Sequence, residues 1–264
     1  MNPMIRKELR QRMREKKGWI LPSLYLLALS AVVLMAYYLV AFSSGREVQG
    51  AEIGVALFFA AAYTQLGLLL LLVPIFSAGA LTIEKEQRTL AGLLTALLRP
   101  AQIWWGKFVS SLLFVLLLLV AGLPVLSAAF AFGGIGPWEV FMATLTTLLI
   151  LATISATGLY WSSAFRRSVH ATAVTYVTVV AATVVTFVAF FIITSVQKTT
   201  GWNEMHRSAK IPLYFNPVFF LTMAFARPGE LYPEWATCAL IFVAIGGLSI
   251  VFTLRNLRGA GENA

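Results

Sequence analysis

Acid–base, metal and nucleophilic chemistry need His, Cys and carboxylates at defined spacings, and this chain offers few of them. It holds two histidines, His170 and His206, one cysteine, Cys238, and 11 acidic residues, all of them Glu. Membrane prenyl transfer needs Asp-rich metal sites, and there is no Asp. Intramembrane proteolysis needs a Ser–His pair or a cluster of His and Glu at membrane depth, and neither histidine has such a neighbour there. The phosphate-cradling pattern G-x-x-x-x-G-K-[ST] fails around Gly106 and Lys107, with Ala101 in place of the first Gly and Phe108 in place of Ser or Thr. The chain is therefore read as no enzyme, with no cofactor or metal of its own. A single thiol forms no internal disulfide and, within an apolar run, behaves as a small apolar residue.

What remains is neutral, polar and set in apolar sequence. Tyr63, Thr64 and Gln65 lie near the middle of one run. Thr172, Thr175, Thr183 and Thr186 share a sector of roughly 80° on another, at about 100° per residue, and Thr194 extends it. Thr146, Thr153 and Thr157 share a face of a third. Threonine in lipid commonly bonds back to a carbonyl one turn earlier, and small polar faces pack helices together. The alternative is that Tyr63, Gln65, Thr172, Thr175, Thr183 and Thr186 line a translocation path between two copies of the chain. With no charge in it, such a path suits a hydrophobic or amphipathic substrate rather than a small ion. Pro74 and Pro124 can kink the runs that carry them.

These groups must be positioned by elements that live in lipid. The chain has 264 residues, 59% apolar and 12% charged, with a mean hydropathy of +0.82, far more oily surface than one soluble core could hide. A bilayer crossing takes about 20 apolar residues. Six runs of that size carry no charge: Trp19–Phe42, Ile53–Leu81, Phe108–Phe132, Val140–Phe165, Val169–Val196 and Trp235–Leu254. They are apolar on every face, which excludes transmembrane strands. The expected fold is an all-α membrane protein with six transmembrane helices over residues 19–254. Basic residues set its orientation. Arg6, Lys7, Arg10, Arg12, Arg14, Lys16, Lys17, Lys85, Arg88, Arg99, Lys107, Arg166, Arg167, Arg255 and Arg258 fall on one side, 15 of the 20 Lys and Arg. By the positive-inside rule that side is cytosolic, so both termini face the cytosol. The net charge of +9 is thus topological, and no soluble domain is long enough to bind nucleic acid.

Three features lie outside the runs. Residues 1–18 place Ile5, Leu9 and Met13 on one narrow stripe among cations, which reads either as a helix lying in the lipid headgroups or as a basic tail. Between the second and third runs, Thr89 can cap a short helix, 89–98, whose Leu90, Leu93, Leu94 and Leu97 share a face, and Pro100 stops it. Its apolar face packs either on a cytosolic partner or on the ends of the chain's own helices. In the external loop, 197–234, Asn216 is a natural N-cap with Pro217 at the first helical position. The apolar residues that follow, Phe219 and Phe220 among them, rise only half a bilayer, so they form a re-entrant or surface-lying helix. That helix either plugs the bundle or gates an exit.

The order Glu84, Glu86, Thr89, Leu90, Leu93, Leu94, Pro100, Gly106, Lys107 resembles the permease subunits of type 2 ATP-binding-cassette exporters, where it runs E-x-E-x-G-T-L-x-x-L-L, P, G-K. The Lys7–Glu8 pair, six spans and the long last external loop also follow that plan, so the likeness covers nearly the whole chain. One departure is Arg88, which stands where Gly would permit a left-handed turn. The resemblance implies a coupling helix at 89–98, with Glu84, Glu86, Thr89, Leu90, Leu93, Leu94 and Leu97 engaging a cytosolic ATPase. It further implies two ATPase copies that bind ATP and magnesium, a second permease chain, a plasma membrane location, and an external gate at Asn216, Pro217, Phe219 and Phe220. The competing class is an ATP-independent transporter or a membrane scaffold for a cytosolic partner. A secondary transporter would show an internal repeat or an intramembrane ionisable site, and the sequence has neither.

Overall fold

A computed structural model describes residues 17–43, 49–87, 100–197, 210–225 and 232–262. Its described residues are all-helical apart from short turns. In chain order the helices are α1 (Lys17–Ser43), α2 (Gly50–Ala78), α3 (Thr82–Glu86), α4 (Pro100–Ser127), α5 (Pro137–Ala164), α6 (Ser168–Val180), α7 (Thr186–Gln197), α8 (Pro217–Met223) and α9 (Tyr232–Glu262). Two 3₁₀ turns, Ala128–Phe132 and Ile211–Phe215, precede α5 and α8. A π turn, Ala181–Val185, joins α6 to α7 into one rod.

Among the described residues, six rods are long and apolar enough to cross a bilayer: Ile20–Phe42, Gly50–Glu86, Ala101–Phe132, Pro137–Ala164, Ser168–Val196 and Pro233–Arg258. They are helical because no other open backbone satisfies its own hydrogen bonds in lipid. Pro74 and Pro124 lie within α2 and α4, which continue through them. The bundle packs around α2 and α5. Phe58, Leu66, Leu69 and Val73 of α2 meet Ile150 and Leu151 of α5, with Leu118 and Leu119 of α4, Leu29 of α1 and Phe242 of α9 closing the core. The first and fifth rods turn most of their surface outward, which costs nothing where the solvent is hydrocarbon.

Close approach between rods depends on small residues. A Cβ built on Gly158 of α5 would fall 2.1 Å from Oγ and 2.9 Å from Cβ of Ser77 in α2. The turn into α5 uses Gly133 and Gly134 at φ of 82° and 84°, a region L side chains rarely adopt. Pro137 then opens α5, and the Glu139 carboxylate accepts from the Gly136 N–H at 3.0 Å.

Candidate functional site

At the end of the bundle where α2 closes, the three consecutive charges Glu84, Lys85 and Glu86 each go to a different helix. The Glu84 carboxylate pairs with Lys107 of α4 at 2.6 Å, with side chains 15% and 8% exposed. The Lys85 ammonium donates to the carbonyls of Ser162 (3.1 Å), Phe165 (3.0 Å) and Ser163, where α5 ends. Those are the carbonyls that a helix C-terminus leaves without intrahelical donors, and a cation suits the negative end of its dipole. Glu86 accepts from the N–H of Ser168 at 2.7 Å, the first residue of α6, where the dipole favours an anion. Ser162 adds a further tie by accepting from the N–H groups of Leu81 (2.9 Å) and Thr82 (3.0 Å), and Asn256 of α9 donates to the Ser163 hydroxyl at 3.0 Å. The short α3 is therefore a polar joint that fastens α2 to α4, α5 and α6, with α9 attached through α5.

A second feature lies between α2 and the fifth rod. Thr64, Gly67, Leu68, Leu70 and Leu71 face Tyr176, Val179, Val180 and Thr183 across an open, largely apolar groove of about 460 Å³. No atom lies within 4 Å of a Cβ built on Gly67, so this side of α2 faces open space. One end is fastened by the Tyr176 hydroxyl, which donates to the Leu71 carbonyl. That carbonyl is one residue beyond the Leu70 carbonyl, whose usual donor would be the N–H that Pro74 lacks.

Toward the other end stands α8. Asn216 is 2% exposed, and its Oδ1 caps the helix by accepting from Val218 N (2.8 Å) and Phe219 N (3.2 Å). The same side chain donates through Nδ2 to the Thr183 carbonyl (2.9 Å) and the Thr186 hydroxyl (3.0 Å), at the π turn. Phe220 is fully buried against Phe242 and Trp235 of α9, with ring centroids 5.0 and 5.9 Å apart. At the far end of α8, Tyr63 pairs with Thr222 through their hydroxyls at 2.9 Å.

The sequence profile of the ABC-2 family transporter proteins matches residues 3–255. The chain belongs to this family. No curated protein matches the chain by sequence comparison. It is thus a multi-pass membrane permease of the ATP-binding-cassette class, in a family whose members generally work with an ABC ATPase and are not themselves catalytic.

Within the permease, the structure gathers the sequence candidates unevenly. Thr89, Leu90, Leu93, Leu94 and Leu97 lie outside the described residues, as do residues 1–16. Glu84 and Glu86 face the permease's own helices. Tyr63, Thr183, Thr186, Asn216 and Pro217 converge around α8. Thr172 is half-buried on α6, and Phe219 is half-buried beside Tyr214, with centroids 6.3 Å apart. Thr175 is buried and donates to the Ala171 carbonyl at 2.7 Å. Gln65 points away from the groove: it is 4% exposed and its Nε2 donates to the Leu119 carbonyl of α4 at 3.1 Å. The four-threonine sector assumes an unbroken α period. A π turn holds about one residue more per turn, so residues beyond it rotate relative to Thr172 and Thr175. The sequence assigns no site role to Ser162, Tyr176 or Gly67, and marks Lys85 only as one of the orienting cations. Lys85 carried a signal in its place between two motif glutamates; the others carried none.

Proposed function

We propose that this permease is the membrane half of an ATP-driven exporter of hydrophobic or amphipathic substrates. Two copies pair with two cytosolic ATPase subunits that bind ATP and magnesium. In this reading the α3 end faces the cytosol, both termini lie on that side, and the protein sits in the cytoplasmic (inner) membrane of the cell. The observation that carries the reading is the α3 joint. Chain leaving α3 runs directly into residues 89–98, the segment that resembles a coupling helix, and Glu84, Lys85 and Glu86 grip three transmembrane rods at once. A push on 89–98 is thereby delivered to α4, α5 and α6 together instead of being absorbed by one loop. The uncharged groove between α2 and the fifth rod supports an apolar cargo.

The test is to search the genes beside the permease for a Walker-motif ATPase and to co-purify that ATPase with the permease in detergent. Leu93→Asp or Leu94→Asp should release the ATPase while six spans still insert. A lost buried Leu contact costs ~1.5–3 kcal/mol, and a buried unpaired charge costs more. Full retention of binding and of coupled transport in both variants would refute this contact, whereas a parent permease that captures no ATPase would favour the ATP-independent transporter or scaffold.

A further inference from the structure

A cap needs only an acceptor, and Ser or Asp at position 216 would supply one as well as Asn. Asn alone adds an NH₂ group, and here both halves of the amide are used. Its Oδ1 fixes the start of α8, and its Nδ2 reaches the π turn of the fifth rod. A π turn in lipid leaves carbonyl groups whose satisfaction must come from elsewhere in the protein, and such turns recur at functional sites. The Thr183 carbonyl accepts from Asn216 Nδ2 at 2.9 Å and, more weakly, from the Thr186 hydroxyl at 3.4 Å. The opposite end of α8 is fastened to α2. There Thr222 meets Tyr63, and Phe225 lies edge-on to Phe58, Phe59 and Tyr63 with centroids 5.3, 4.8 and 5.9 Å away. The two rods joined in this way are the two that form the groove. Thr64 and Thr183, which line it, are the neighbour of Tyr63 and the residue held by Asn216.

We propose that Asn216 is a positioning residue that latches α8 to the π turn and so ties the two walls of the α2/fifth-rod groove together at this end. Widening the groove requires Nδ2 to leave the Thr183 carbonyl while Oδ1 keeps α8 helical. The inference rests on the exporter reading, in which the groove must open for cargo.

The variant that separates the two roles is Asn216→Asp. It keeps an acceptor for the Val218 and Phe219 amides, but sets an oxygen in place of Nδ2 against the Thr183 carbonyl. Spin labels at Val218 and Val188, both exposed, report the gap between α8 and α7 by pulsed electron resonance. The measurement uses the full-length permease without ATPase, in nanodiscs and a Cys238→Ala background. Asn216→Asp should lengthen the mean distance by about 5 Å, the rise of one helical turn, and broaden it. Hydrogen-exchange protection of the Val218 and Phe219 amides should persist in this variant and be lost in Asn216→Ala. An unchanged distance distribution in Asn216→Asp overturns the latch. So does a lengthening accompanied by lost amide protection, because the cap alone then accounts for it. If Asn216→Asp does not fold, Asn216→Ser, which keeps a cap acceptor and has no Nδ2 to reach the Thr183 carbonyl, carries the same test: a longer distance supports the latch and an unchanged one overturns it. Because no ATPase is present, failure of the co-purification would sink the exporter reading and leave this distance measurement standing.

Discussion

A charge held at the end of a membrane helix is stable only while its partner is. Glu84 and Lys107 are mostly withdrawn from solvent and 2.6 Å apart, so removing one leaves the other in surroundings that cannot solvate it. Breaking such a pair from one side typically costs about 3–5 kcal/mol, whereas replacing both members by apolar groups is often close to neutral. Glu84→Met and Lys107→Met should each lower the melting temperature of the purified permease sharply, and the double variant should recover much of the loss. Additive losses in the double variant would show that the pair does not couple α3 to α4. Lys85→Met should also destabilise, by about 1.5–3 kcal/mol for hydrogen bonds from a charged donor, because three carbonyls at the end of α5 lose that donor. A melting temperature equal to that of the parent would mean that other donors cover those carbonyls. The glutamates and Lys107 were legible in sequence through the order of a motif. Their partners were not, because sequence order alone does not say which helix ends meet in space.

Rod-on-rod contact is the next scale, and α2 against α5 shows its demand for small side chains. A Cβ on Gly158 would come within 2.9 Å of the Ser77 Cβ and 3.3 Å of the Ala78 nitrogen. The Ser77 hydroxyl can rotate aside, but its Cβ and the backbone cannot. Gly158→Ala should therefore force the helices apart, at about 1–3 kcal/mol of overpacking, and Ser77→Gly in the same chain should restore thermal stability. A Gly158→Ala variant as stable as the parent would mean that the two rods slide without cost. Apolar runs announced the six rods, yet the helices outlast them. Helix α4 begins at Pro100 and α9 reaches Glu262, because hydropathy marks what lies in lipid and not where helical hydrogen bonding stops. The start of α8 was readable from Asn216 and Pro217, since capping is local chemistry. The π turn was not: Ala181–Val185 contains no Gly or Pro to mark it. Its Thr183 carbonyl is answered from 33 residues away.

For the whole molecule, orientation and cargo path are the two questions on which transport depends. By the basic asymmetry of the sequence, Ser44 and Gly201 are expected outside. Cysteines placed there in a Cys238→Ala background should react with an impermeant thiol reagent added to intact cells, and labelling only after lysis would invert the topology. The path can be tested with bulk. If the groove carries cargo, Gly67→Trp should stop efflux of a hydrophobic fluorescent dye, in cells that also make the ATPase, while yield and melting temperature stay near parental, since the new side chain enters space where a Cβ meets nothing. Gln65→Trp, two residues away, should fail differently. Its site is enclosed by α4 and α1, where a Cβ built on Gly122 would already sit 2.8 Å from the Tyr25 hydroxyl and 2.9 Å from the Gln65 amide. Added bulk there overpacks a helix interface and should lower stability by about 1–3 kcal/mol before it touches transport. The two substitutions lie on one helix and add the same side chain, so hydrophobicity and insertion are held nearly constant between them. What differs is whether the residue faces the groove or the interior. A stable Gly67→Trp variant with unimpaired efflux would therefore exclude the groove as the route.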